Sequence, residues 1–141
     1  MAAAAPRHER ARNTLRPIPN DRLEIRHDPL KGRGVFARAM IGAGALIEVA
    51  PVIIVPAAQR KLLDTTTLHD YYFLWDDTGG ESRVAIALGL VSLCNHSRRP
   101  SARVRRNRIG ETLDLLALTP IAAECEITID YNCPLWFAVQ D

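Results

Sequence analysis

Cysteine is scarce in this 141-residue chain, and the three present are poorly spaced for the chemistry cysteine does best. Cys94, Cys125 and Cys133 form no C-x-x-C pair, and an odd number without a secretory signal argues against a disulfide framework. Even with His96 they lack the spacing of a four-ligand zinc site or of a Cys-His nucleophile, so no metal is expected. Long apolar runs are missing as well. None reaches the roughly 18 to 20 residues of a membrane-spanning helix, and Ala2 to Ala5 is too short for a signal-peptide core. The expectation is a soluble protein of a reducing compartment, intracellular, cytoplasmic or associated with nucleus or nucleoid, with no membrane partner. Charge of one sign is not in strong excess either, the net being +2. That is too weak a bias to mark a nucleic-acid binder, although six arginines crowd between Arg98 and Arg108. Such a cluster is either a solvated edge or a local patch for an acidic partner or a nucleic-acid backbone.

With 48% hydrophobic and 24% charged residues, the chain has room for one core. Residues 1–20 carry an alanine run, arginines and three prolines without apolar periodicity, and are expected to form a disordered arm. Residues 21–141 are then a single domain. Leu23 to Ile25 predicts a short strand, followed by a loop through Gly32-Arg33-Gly34 and a strand from Val35. That Gly-x-Gly lacks the third glycine and the following helix of a dinucleotide fingerprint. Ala45 to Val55 reads as β structure with Pro51 at an edge or kink. Pro56 to Leu63 reads as a short helix ended by Asp64 and the threonines. Leu68 to Trp75 reads as an aromatic-rich strand that pairs back with Arg83 to Ala87. Ala102 to Arg106 and Thr112 to Leu118 read as a hairpin around Asn107 to Gly110.

The polar chemistry gathers at two places. Leu88 to Leu93 is an apolar run that ends in Cys94-Asn95-His96-Ser97, and Ile127 and Ile129 alternate along a strand that ends in Asp130-Tyr131-Asn132. The first is also a good turn, since Asn and Ser bond nearby backbone and Pro100 follows. Two polar ends on apolar elements nevertheless suggest one shared pocket.

These stretches resemble the SET domain, the fold of a large family of protein lysine methyltransferases. Asn95-His96-Ser97 is similar to the family's Asn-His cofactor motif and Glu126 to Tyr131 to its Glu-(Leu/Ile)-Thr-x-Asp-Tyr motif. Gly32-Arg33-Gly34-Val35-Phe36-Ala37 resembles its Gly-x-Gly-(Val/Ile)-Phe-Ala segment, and the three occur in the family's order. The resemblance is closest to the small viral and bacterial SET proteins that lack a zinc-binding cysteine cluster after the SET motif. It implies a mainly β fold of several short antiparallel sheets, with few short helices and a threaded C-terminal segment.

The resemblance further implies S-adenosylmethionine as cofactor and a protein or peptide lysine as substrate, on a histone-like or other basic tail. Tyr131 resembles the catalytic tyrosine, and Tyr71, within Leu68-x-Asp70-Tyr71-x-Phe73, would face the lysine channel. Gly32, Arg33, Gly34, Asn95 and His96 would bind the cofactor, and Trp136 would cover the adenine or close the channel. A homodimer is expected by the same likeness, and nucleic acid would bind, if at all, through Arg98 to Arg108. A catalytically silent module that binds cofactor or a partner through the same fold is the alternative. One departure is visible: Glu124-Cys125-Glu126 stands where the family has Gly-Glu-Glu, so a left-handed turn would carry a side chain at a cost of about 1 kcal/mol.

Overall fold

Alternation of apolar and polar residues around an Asp-anchored turn builds the first hairpin. In a computed structural model that describes residues 16–76 and 81–131, strand β1 (Leu23–Asp28) pairs antiparallel with β2 (Gly32–Ala37). The Asp28 carboxylate accepts the backbone N–H groups of Leu30 and Lys31 and so fixes the turn. Both strands are longer than expected, so Gly32 and Gly34 lie within β2 and not in a loop. Gly32 has φ +76°, a conformation that glycine adopts at no steric cost. Ile18, inside the stretch expected to be an arm, donates its N–H to Leu46 and packs against the core.

Strand β3 (Leu46–Val55) is the spine of the second sheet. Its first half pairs with β8 (Thr112–Ala117) and its second half with β5 (Val84–Ala87). Pro51 sits inside this central strand, not at an edge, where one partner hands over to the other, and its carbonyl accepts the N–H of Leu88. The short helix α1 (Ala57–Leu63) follows Pro56, with Thr65 and Thr66 hydroxyls donating to the carbonyls of Leu62 and Leu63 at its end. The expected strand from Leu68 to Trp75 is mostly absent. Thr67–Asp70 winds into a 3-10 turn in which the Thr66 hydroxyl accepts the Leu68 N–H, and only β4 (Phe73–Leu74) is extended. It does pair with β5, as expected.

A second 3-10 turn, Leu90–Leu93, leads into β6 (Asn95–His96). The hairpin of β7 (Ala102–Asn107) with β8 follows, and β9 (Glu126–Ile129) closes the described chain. The result is mainly β: a four-stranded sheet β1-β2-β9-β6 and a five-stranded sheet β4-β5-β3-β8-β7. All pairings are antiparallel except β6 with β9, which run parallel. The core between the sheets is aliphatic, with Val35, Ile47, Val91, Leu113 and Ile127 fully buried and Trp75 closing one end. No helix among the described residues is long and apolar enough to cross a membrane.

Candidate active site

The parallel pairing of β6 with β9 sets Asn95 beside Thr128 and His96 beside Ile129, so both polar motifs of the sequence end on the same edge. Asn95 Nδ2 donates to the Arg33 carbonyl at 3.2 Å and to Glu126 Oε2 at 2.7 Å. Both partners can only accept, which fixes the amide orientation and spends both of its donors. Asn95 Oδ1 is left without a partner among the described residues. The other Glu126 oxygen meets Lys31 Nζ at 3.3 Å, and both side chains are largely buried. Gly34 lies directly beneath this pair: a Cβ there would stand 2.6 Å from Glu126 Oε2 and 2.9 Å from Asn95 Nδ2.

Tyr131 is held at three points. Its hydroxyl donates to the Cys94 carbonyl at 2.8 Å, its backbone N–H donates to His96 Nδ1 at 3.0 Å, and the two rings are 5.1 Å apart. Asp130 Oδ1 approaches the same ring nitrogen at 3.8 Å. The His96 ring packs against Tyr131, while Gly32, Arg33 and Asn95 line a cavity. The Cys94 thiol is buried, and burial, with Glu48 and Glu126 adding negative charge, holds it far above the ordinary thiol range. It is no nucleophile.

Two cavities meet at the tyrosines. One, of about 180 Å³, is lined by Lys31, Gly32, Arg33 and Asn95. The other, of about 130 Å³, is lined by Arg60, Tyr72, Phe73 and Leu74. Asp70, Tyr71, Ser92, Cys94 and Tyr131 line both. Tyr71 reaches this junction from the 3-10 segment, and its hydroxyl has no partner among the described residues. Trp136, expected to cover the cofactor or channel, and Cys133 lie outside the described residues. Among the described residues no cluster of His, Cys, Asp and Glu could hold a metal. Sequence reasoning gave no role to Lys31, Glu126 or the Cys94 carbonyl. Glu126 had left a trace, as the acidic first residue of an otherwise buried strand.

A glycine-bearing strand, an asparagine clamped by a carboxylate and two cavities joined at a pair of tyrosines thus lie together at one edge of the fold. The chain belongs to the SET domain family, that of the SET-type protein-lysine methyltransferases, and matches it over residues 32–132. It is similar to a fission yeast (Schizosaccharomyces pombe) protein named "Histone-lysine N-methyltransferase, H3 lysine-37 specific", 33% identical over 122 residues. That alignment covers 86% of this chain and 80% of the relative. The crystal structure of a Plasmodium falciparum protein provisionally assigned as a histone methyltransferase superposes with a TM-score of 0.64. It is 26% identical, over 82% of this chain and 97% of that one.

Proposed function

We propose that the protein transfers a methyl group from S-adenosylmethionine to the side-chain amine of a protein lysine. The observation that carries this reading is the pair of cavities sharing Tyr71 and Tyr131, which lets two reactants enter separately and meet at one hydroxyl. When bound, S-adenosylmethionine supplies an electrophilic methyl on a positive sulfonium. The residues present fit such a group. Asn95 offers only an acceptor, suited to the ammonium of an amino-acid moiety, and the Lys31 to Arg33 backbone and cations stand beside it for a carboxylate. Gly34 supports this grip from below by making room for Glu126.

Displacement at a sulfonium carbon needs position and a neutral amine, without a protein nucleophile. Free lysine has a pKa near about 10.4, so the site must favour loss of a proton, and an apolar channel beside a cation does so. Because the Tyr131 hydroxyl already donates to Cys94, its oxygen is turned to accept an N–H of that amine. Tyr71 supplies a second hydroxyl at the same junction. We assign to His96 the support of Tyr131, and to Trp136 the covering of cofactor or channel. Similarity to the named relatives makes a histone-like tail the first substrate to try and the nucleus the first location.

Calorimetric titration with S-adenosylmethionine and methylation of lysine peptides test the assignment together. Tyr131→Phe should keep the cofactor dissociation constant and lose most turnover, because its contact is made chiefly in the transition state. Asn95→Ala should weaken cofactor binding about tenfold to hundredfold, the worth of one buried hydrogen bond. A wild type that binds no S-adenosylmethionine ends the enzyme reading; one that binds it but methylates no lysine leaves only the silent module.

A further inference from the structure

The arginines between Arg98 and Arg108 take no part in the chemistry above, and the structure divides them. Arg105 pairs with Asp114 at 2.9 Å, Arg108 pairs with Asp76 at 3.4 Å and lies over Trp75, and Arg106 donates to the Trp75 carbonyl at 3.1 Å. Arg98, Arg99 and Arg103 are exposed and make no ion pair among the described residues. Of these three, Arg103 lines a groove of about 400 Å³. Arg103, Val104 and Arg106 form one wall, Phe73 and Leu74 the other, and Tyr131 stands at its junction with the lysine cavity. Arg98 and Arg99 immediately precede Pro100, which also lines it. Asp130 is the acidic residue of the lining and is already engaged.

The walls explain why an extended chain fits. β4 and β7 are the two edges of the five-stranded sheet, and both contribute lining residues to the groove. Arg105 and Arg108, which do not line it, have carboxylate partners, and the lining residue Arg103 has none among the described residues, so this positive charge is local and not spread along a face. A phosphate track for duplex nucleic acid needs the opposite arrangement. We propose that this groove holds the substrate chain beside the target lysine, and that Arg103, with Arg98 and Arg99 next to Pro100 in the chain, selects an anionic side chain there, a carboxylate or a phosphate. The proposal rests on the methyltransferase reading and narrows its substrates: lysines next to acidic or phosphorylated residues are favoured over lysines embedded in further cations.

Length-matched peptides test it, each with one lysine and with Glu, phosphoserine, Gln or Lys placed two or three residues away on either side. Binding to the full chain is followed by fluorescence anisotropy and methylation by kcat/KM. Anionic peptides should bind about tenfold tighter than the Gln peptide at low salt, as expected of a few exposed charges acting together, and the gap should shrink as salt rises. Arg103→Glu should reverse the order of the Glu and Lys peptides, with thermal melts showing that the variant is folded. The relative strength of Glu and phosphoserine decides between the two sources of negative charge. Equal binding of the Glu and Gln peptides overturns the proposal, and so does a preference that survives Arg103→Glu. A duplex DNA oligonucleotide that displaces the peptides and itself depends on Arg103 overturns it in favour of nucleic acid. Anionic preference in binding without methylation of any peptide sinks the enzyme reading and leaves the groove's selectivity standing.

Discussion

Gly34 and Glu124 show opposite tolerances for a side chain. At Gly34 backbone dihedrals impose nothing; the hydrogen-bonded pair of Glu126 and Asn95 occupies the space that a Cβ would need. Glu124 has a side chain where the backbone would sooner have none, at φ +72°. Its N–H donates to Ala37 at 2.7 Å, so the turn cannot relax without breaking the junction with β2. A side chain in the left-handed region costs about 1 kcal/mol. The exposed carboxylate recovers part of that by pairing with Arg26, which also holds Glu24. Two substitutions separate the contributions. Glu124→Ala removes the ion pair and keeps the strain, so it should lower stability by about 0 to 1 kcal/mol. Glu124→Gly removes both and should exceed Glu124→Ala by about 1 kcal/mol in urea unfolding. Equal midpoints for the two variants would show that the turn is not strained.

At the scale of elements, the segment between β3 and β5 depends on two carboxylates. Asp64 accepts from the Tyr72 hydroxyl at 2.9 Å and lies 3.0 Å from His69 Nδ1, which ties the 3-10 turn to α1 and so holds the wall that carries Tyr71. Asp76 receives a two-pronged guanidinium from Arg83 across the ends of β4 and β5. His69 and then Tyr72 hold the Asp64 carboxyl below its ordinary range, and Arg83 holds Asp76 well below it. Carboxyls depressed in the folded state contribute stability that is complete above their unfolded pKa, about 3.9, and is lost as pH falls through the folded value. Hydrogen exchange of the 57–74 amides should therefore accelerate below about pH 4. Asp64→Asn should raise exchange at neutral pH and flatten the acid limb for residues 64–72; an exchange profile identical to wild type would remove Asp64 from this role. The same segment shows where sequence was legible. The β7–β8 hairpin could be read because alternation and an Asn-Gly loop are local signals, and they agree with the fold. Leu68 to Trp75 misled because aromatic residues favour strands in general, while Thr66, two residues before Leu68, caps a 3-10 turn. Glu126 and Lys31 could not be paired in advance, since nothing in a single chain announces a contact across 95 positions.

The whole molecule depends on how its two sheets are joined, because the four-stranded sheet bears Gly34, Asn95 and Glu126 while the five-stranded sheet leads into the wall with Tyr71. The segment from Leu88 to Ser97 is the seam. Leu88 donates its N–H to Pro51 of β3, Ser97 donates to Ile129 of β9, and the Cys94 carbonyl between them receives Tyr131. Glu48 holds the seam from the side of β3. Its nearly buried carboxylate accepts the N–H groups of Leu90 and Val91, each at 2.9 Å, and Gly89 leaves the room, since a Cβ there would come within 2.7 Å of Glu48 Oε1. Leu46 and Ile47 are core as their apolar character suggests, but Val49 is exposed and the acidic Glu48 is buried in its place, which only a partner elsewhere in the chain explains. Glu48→Gln turns one acceptor into a donor facing an N–H, and should cost about 1 to 3 kcal/mol in urea unfolding. Glu48→Ala strands both N–H groups and opens a void, so it should cost more than Gln does. Because the same seam sets Cys94 and Asn95, the folded Gln variant should also bind S-adenosylmethionine more weakly at temperatures well below its melt. If Glu48→Ala unfolds at the wild-type urea concentration, the carboxylate is not what joins the sheets.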